Sequence, residues 1–405
     1  MEMLIYWIWF AQLKKLSKAQ KQWLLEYFRD PEEIYHSEQK RYKGLSGMTQ
    51  EILQALEQKD LSEAQNILAQ CEEKGIGILT FLDDAYPVKL RNTADAPMVL
   101  YYRGKLPNWE NVPVIGIVGT RKATPYGMNT ALRFGRQIAA CGALVVSGGA
   151  SGIDTMAMRG AMEAGRPVVG VLGCGVDVVY PKPNRQMFEN VLQNGCLLSE
   201  YPPGTKAYSW NFPERNRIIS GVANGLLVVE APEKSGALNT ARHAMEQGRD
   251  VFAVPGNVDV AACAGSNALL QEQAAPALSG WDVVKQYEAL YPGKVRRQHT
   301  AEPVPKVAQK PVIPEILKDS STDNNKKSID KEEKSSYSVL NVERPPLSNA
   351  EAAVFAQINR EECSLDDLID RVQLPAGAVK SALTRLALKK LVVVHPGGRV
   401  SLKET

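Results

Sequence analysis

The stretch "WNFPERNRIIS" at residues 210–220 puts Arg215, Asn216 and Arg217 just after Trp210 and Phe212 and just before an apolar helical run. Guanidinium groups grip phosphates through paired hydrogen bonds. Aromatic faces stack on unpaired bases whatever their sequence. Lys206, Tyr201 and Tyr208 lie upstream, so basic and aromatic side chains interleave. Duplex DNA hides its base faces, and the combination therefore points to a single strand. The competing reading makes Phe212 and Trp210 core residues and pairs Arg215 with Glu214 or Asp154. A second group of residues suits the same ligand. "GIVGTRKATPYG" carries Gly119, Thr120 and Arg121, and "VVSGGASGID" carries Ser147, Gly148 and Gly149. Glycine turns that open helices offer backbone N–H groups to an anion, and Arg121 stands within reach of it.

Catalytic chemistry is harder to assemble. The candidates are Ser147, Asp154, Asp177, Glu200, Glu230 and His243. No Gly-x-Ser-x-Gly elbow, HExxH or paired-histidine motif joins them. His243 lies mid-helix in "TARHAMEQG" and reads as structural. Asp154 suits the positive end of its helix or an arginine such as Arg217. Gly116 and Gly119 are not spaced as a dinucleotide fingerprint, and the second strand ends in Ser147-Gly148, where a ribose-gripping acid would be needed. This argues against NAD, and no cofactor is expected. Six cysteines are scattered without metal-ligand spacing and read as reduced, buried thiols.

Six short, almost continuously apolar runs must position these residues: "VPVIGIVGT", "ALVVSGGA", "PVVGVLGCG", "CLLSEY", "GLLVVEA" and "DVFAVPGN". Strands buried on both faces look like this. With helix-length segments between them, they predict a doubly wound parallel α/β sheet. The candidate residues then fall at the carboxyl ends of strands, along one rim. At 405 residues the chain is long enough for two or three domains. Residues 1–75 read as a helical domain and 76–292 as the Rossmann-like domain, with 76–110 a connector packed on it. Residues 293–343 are polar and of mixed charge and read as a flexible linker. Residues 344–405 read as three helices and a hairpin about Pro-Gly-Gly, a winged helix, with Ser348 and Ser364 as N-caps. A net charge of +3 makes any nucleic-acid footprint local. The opening "MEMLIYWIWF" is too short to span a bilayer. It reads as a helix that buries Leu4, Trp7 and Ile8, and a cytoplasmic protein with no membrane contact is expected.

The motifs "GIVGTRKATPYG", "VVSGGASGIDTMAMRGAM", "GCGVDVVYPKPN", "LLSEYPPGT", "FPERNRIISGVANGLLVVEA", "SGALNTARHAMEQGRDVFAVPGN" and "GSNALL" resemble, in order and spacing, the DNA-processing protein A family (DprA, also called Smf). The match runs through about residues 76–275, and the helical front and winged-helix tail fit the family's longer members. The resemblance implies an extended Rossmann-like domain that binds single-stranded DNA without cutting it. It further implies protection of incoming strands in natural transformation, loading of the RecA recombinase, and homodimers joined through the Rossmann-like domains. The family's pocket maps onto Arg121, onto Ser147 to Gly149, and onto Phe212, Arg215 and Arg217, with Lys182 a further basic candidate. The chain departs from the family pattern at three places. Met158 replaces a usual histidine. Ser209 stands where a basic residue often precedes the FPxRNR motif, with Lys206 as a substitute. Gln271 and Gln273 replace the usual arginine and glycine near the expected dimer contacts. The strand-end layout also resembles the lysine-decarboxylase-like nucleotide phosphoribohydrolases, whose motif would fall near "EKSGALNTARHA". The glycine pair and glutamate of that motif are absent there.

Overall fold

The computed structural model describes residues 2–45, 47–272 and 274–297, then 354–355, 357–358, 363–372, 379, 382–383, 386, 392–395 and 399–402. The chain divides into two compact units, Met1–Ala308 and Gln309–Thr405. Of the flexible linker read over 293–343, residues 293–297 are corrected: Val295 is buried in the first unit and the Arg296 N–H donates to the Cys141 carbonyl at 3.0 Å. The rest lies outside the described residues, and so does Gln273.

The first unit is built on a nine-stranded sheet. In chain order the strands are β1 (Gly77–Thr80), β2 (Val99–Gly104), β3 (Val114–Val118), β4 (Leu144–Ser147), β5 (Val168–Leu172), β6 (Cys196–Ser199), β7 (Gly225–Val228), β8 (Asp250–Ala253) and β9 (Ala275–Pro276). Their spatial order is β1-β2-β6-β5-β4-β3-β7-β8-β9. The six apolar runs are β3 to β8, and they pair in parallel. Every residue of β3 to β7 is buried, because helices cover both faces. Residues 76–110 do more than connect. β2 pairs antiparallel with β6, and β1 pairs antiparallel with β2. Together they cover an edge whose backbone groups would otherwise lie unpaired.

Side chains alternate between the two faces, as the period of 2 requires. Ile115 and Ile117 enter one core, and Val114 and Val118 enter the other. The first core also receives the front helices, α1 (Glu2–Gln12), α2 (Lys18–Tyr27), α3 (Pro31–His36), α4 (Gln39–Lys43), α5 (Gln50–Glu57) and α6 (Ser62–Glu73). Trp7, Ile8, Trp9 and Phe10 are all buried, and Leu4 is half-buried. A helix apolar on every side must be covered on every side. The front segment accordingly shares one continuous core with the sheet instead of standing apart from it. The remaining helices are α7 (Val88–Arg91), α8 (Pro125–Ala140), α9 (Ile153–Glu163), α10 (Arg185–Asn194), α11 (Asn211–Val222), α12 (Gly236–Glu246), α13 (Ala264–Glu272) and α14 (Gly280–Val284).

In the second unit a short strand, Cys363–Ser364, leads into a helix over Leu365–Val372. Ser364 caps that helix, its Oγ accepting from the Asp367 N–H at 3.1 Å. Strands Val392–His395 and Arg399–Leu402 form the antiparallel hairpin, with the second of them central in a three-stranded sheet. Val354, Leu368, Val379, Leu383, Leu386 and Val400 make its core. This is the winged helix read from the sequence. Ser348 and the basic residues Lys380, Arg385, Lys389 and Lys390 lie outside the described residues.

Candidate nucleic-acid interface

The strand order reverses at β3: β4, β5 and β6 lie to one side of it, β7 and β8 to the other. A crevice opens beyond the carboxyl ends of strands at such a point. Here it is a cleft of about 570 Å³, lined from β3 by Gly119, Thr120 and Arg121, from α11 by Phe212, Arg215 and Asn216, and from the start of α12 by Ser235 and Gly236.

Arg121 is exposed at this cleft, and its guanidinium lies 5.0 Å over the Phe212 ring. Tyr180, from the turn after β5, meets the other partner of that stack at 5.3 Å between ring centroids of Tyr180 and Phe212. Among the described residues Arg121 closes no salt bridge, although the Asp154 carboxylate in the same cleft acts on it electrostatically. Its guanidinium stays open to an anion, with the Phe212 ring beneath it.

Arg215 is different. It is buried, and its Nη1 donates to the carbonyls of Gly148, at 2.7 Å, and Val171. It locks the ends of β4 and β5 from beneath and gives the cleft floor positive charge. Asp154 lies beside it and accepts from the N–H groups of Gly148 and Ala150 at 3.1 and 3.3 Å. Gly148 explains the glycine: a Cβ there would stand 2.5 Å from Arg215 Nη2 and 2.6 Å from Asp154 Oδ2. At Gly149 a φ of +65° adds a backbone reason.

Burial pushes the Asp154 carboxyl up to about 6, against the pull of Arg215. Burial also lowers Arg215 to about 10, so both are charged at neutral pH. As the folded-state value is raised, the group's contribution to stability is full below its unfolded value and is lost as pH rises through about 6. Binding follows the same sign. Protonating Asp154 removes the negative charge from the cleft floor, so affinity for a polyanion should rise as pH falls from 7 to 5. An oligonucleotide titration across that range should show the rise in the native chain and a flat profile in Asp154→Asn.

Arg217 does not reach the cleft. Two residues apart on a helix means about 200° of rotation, and so Arg215 and Arg217 face opposite ways. Arg217 is buried against Glu200, with Asp95 at 3.4 Å, and Glu200 also meets Lys18 of α2 at 3.3 Å. The sequence reading that joined both arginines to one ligand is corrected here, as is the pairing of Asp154 with Arg217. Ser147 is likewise committed elsewhere. It is fully buried, and its Oγ donates to the Ile117 carbonyl at 2.6 Å. Met158 is a core side chain and is absent from the cleft lining. Lys182 and Lys206 are exposed but do not line the cleft. Lys122 and Lys234 do. The sequence reading passed over both, although each follows a strand end, in "GTRK" and "EAPEK".

The helix start that holds a pyrophosphate in dinucleotide folds is filled by the protein itself. The Glu230 carboxylate accepts from the N–H and hydroxyl of Thr124, the N-cap of α8, at 2.8 and 2.6 Å. The start of α12 remains open to the cleft. There Ser235 caps the Ala237 N–H at 3.2 Å, and Gly236 is exposed. The other groups raised as catalysts have partners too. Asp177 holds Lys74 at 2.7 Å and the Gly204 N–H at 2.8 Å, and His243 sits beside Glu246. Among the described residues no group of three or more His, Cys, Asp or Glu side chains could hold a metal, and no helix is long and apolar enough to cross a membrane.

The fold and cleft define a doubly wound α/β protein with a strand-end cleft and a second, winged-helix unit. Residues 77–288 match the DNA recombination-mediator protein A family, and residues 341–398 match the DprA winged helix domain; the chain belongs to this family. It is 36% identical over 279 residues to the Smf protein of Synechocystis sp., covering 68% of this chain and 70% of that one. It is 40% identical over 220 residues to the DNA processing protein DprA of Bacillus subtilis, covering 54% and 74%. The X-ray structure of DNA processing protein A from Streptococcus pneumoniae superposes with a TM-score of 0.62 at 32% identity, over 71% of this chain and 99% of that one.

Proposed function

We propose that this recombination mediator holds single-stranded DNA in the strand-end cleft, without cutting it, and passes it to a RecA-type recombinase, acting as a homodimer through the sheet-bearing unit. The observation that carries the reading is Arg121 poised over Phe212, with Lys122, Lys234 and the open start of α12 at the same cleft. The arrangement offers a phosphate grip beside an aromatic face, which an unpaired nucleotide needs and a duplex cannot use. Asn216 and Thr120 shape the wall, and Arg215 supplies charge from below. Holding is preferred to cutting because Ser147, Asp154, Asp177, Glu200 and Glu230 are each engaged in the scaffold. The phosphoribohydrolase alternative is not favoured, and release of free base from nucleoside monophosphates would revive it.

A salt titration of fluorescent oligonucleotide binding tests the proposal. Single strands should bind more tightly than duplex of equal length, with little dependence on base sequence. The slope against log salt should be about −0.7 per phosphate neutralised. Phe212→Ala should cost about 1–3 kcal/mol of affinity with a smaller change in slope than Arg121→Ala, since stacking releases no counterions and only the seating of Arg121 is disturbed. Equal affinity for duplex would overturn the assignment of Phe212 as a stacking surface.

A further inference from the structure

Tyr208 and Trp210 form a stacked pair, with ring centroids 4.7 Å apart and planes within 9°. Trp210 is 66% exposed and Tyr208 42%. Neither belongs to a core cluster of the first unit. Helix architecture does not explain the tryptophan either. Trp210 occupies the N-cap of α11, where Ser, Thr, Asp or Asn satisfies a free N–H, and its side chain makes no cap hydrogen bond. The competing sequence reading, which put Trp210 in the core, is therefore corrected.

The pair is held firmly by its backbone. The Asn211 N–H donates to the Tyr208 carbonyl at 3.1 Å, and the buried Asn211 side chain donates to the Gly173 carbonyl at 3.0 Å. Ala207 and Ser209 line the cleft, whereas Tyr208 and Trp210 do not. The segment is thus the lip of the cleft, with alternate residues turned to its inside and outside. Exposed Lys206 adjoins it.

Resting on the reading of the cleft as a single-strand site, we propose that the Tyr208–Trp210 pair is a second nucleobase subsite. A base of the same strand, a few nucleotides beyond the one at Phe212, extends the stack on the open face of Trp210, with Lys206 near its phosphate. Three observations support this occupant: the lip is continuous with the cleft, the neighbouring lysine matches a phosphate, and the stack is preformed, so little ordering cost remains on binding.

The test measures binding of the full chain to oligothymidylates of about four and about sixteen nucleotides, lengths within the usual single-strand site range. Trp210→Ala should weaken the longer strand about fivefold to a hundredfold, the scale of one lost base stack. It should leave the shorter one within about twofold, with the salt slope of both unchanged because stacking releases no counterions. Trp210→Tyr, which keeps an aromatic face, should restore most of the loss. Equal weakening of both lengths, or of neither, would overturn the subsite. So would a change of oligomeric state in Trp210→Ala by sedimentation without a length-dependent loss, which would assign the pair to a protein contact. Arg121→Ala, measured in parallel, should weaken both lengths. If it leaves the short strand bound as before, the cleft reading itself fails, independently of Trp210.

Discussion

Arg217→Ala should destabilise the protein by about 3–5 kcal/mol while leaving the salt slope of strand binding unchanged. Glu200 and Arg217 are both largely buried, with side chains 17% and 4% exposed. Removing one partner leaves the other charge in a poorly solvated site, and the cost is that of an uncompensated buried charge. Two features place the effect at the lower end of the range. Lys18 stays 3.3 Å from Glu200, and Arg217 Nη1 has no hydrogen-bond partner to lose. A urea midpoint gives the stability change, and the oligonucleotide salt titration gives the slope. A variant of unchanged stability but reduced slope would return Arg217 to the DNA.

Arg121→Ala should show the opposite pattern. Affinity for single strands should fall by about 1.5–3 kcal/mol, the scale of hydrogen bonds to a charged group, and the salt slope should become shallower. The unfolding temperature should hardly move, because Arg121 is exposed and lies over the Phe212 ring at the cleft instead of in a core. Arg121→Lys should recover only part of the loss, as an ammonium lacks the planar fork that grips a phosphate with two bonds and lies flat on an aromatic face. Unchanged binding, or a collapsed fold, would remove Arg121 from the site.

The contrast between these arginines shows how much of the site the sequence carried. The parallel sheet was legible because strands buried on both faces must be apolar at every position, which is what β3 to β7 show. The rim followed from it, since residues just after parallel strands gather at one edge, and Arg121 and Gly148 lie there; Phe212 was legible instead from the basic and aromatic side chains that interleave around it. The linear order of residues did not reveal which way each side chain turns. "RNR" looks like one basic cluster until α11 rotates Arg217 about 200° from Arg215 and packing takes Arg217 to Glu200. Ser147 sits in a rim motif, yet the last residue of β4 points its hydroxyl at Ile117. Aromatic neighbours single out Lys206 in the sequence, whereas Lys122 and Lys234 are the lysines that line the cleft. Residues 76–110 look like a connector because antiparallel pairing on β6 involves a partner about a hundred residues away. Local composition determined the six parallel strands β3 to β8 and the rim on which their ends lie. Long-range packing decided which charges were spent within the protein and which were left for a ligand, because a buried arginine must find its partners inside the fold, and those partners come from distant parts of the chain.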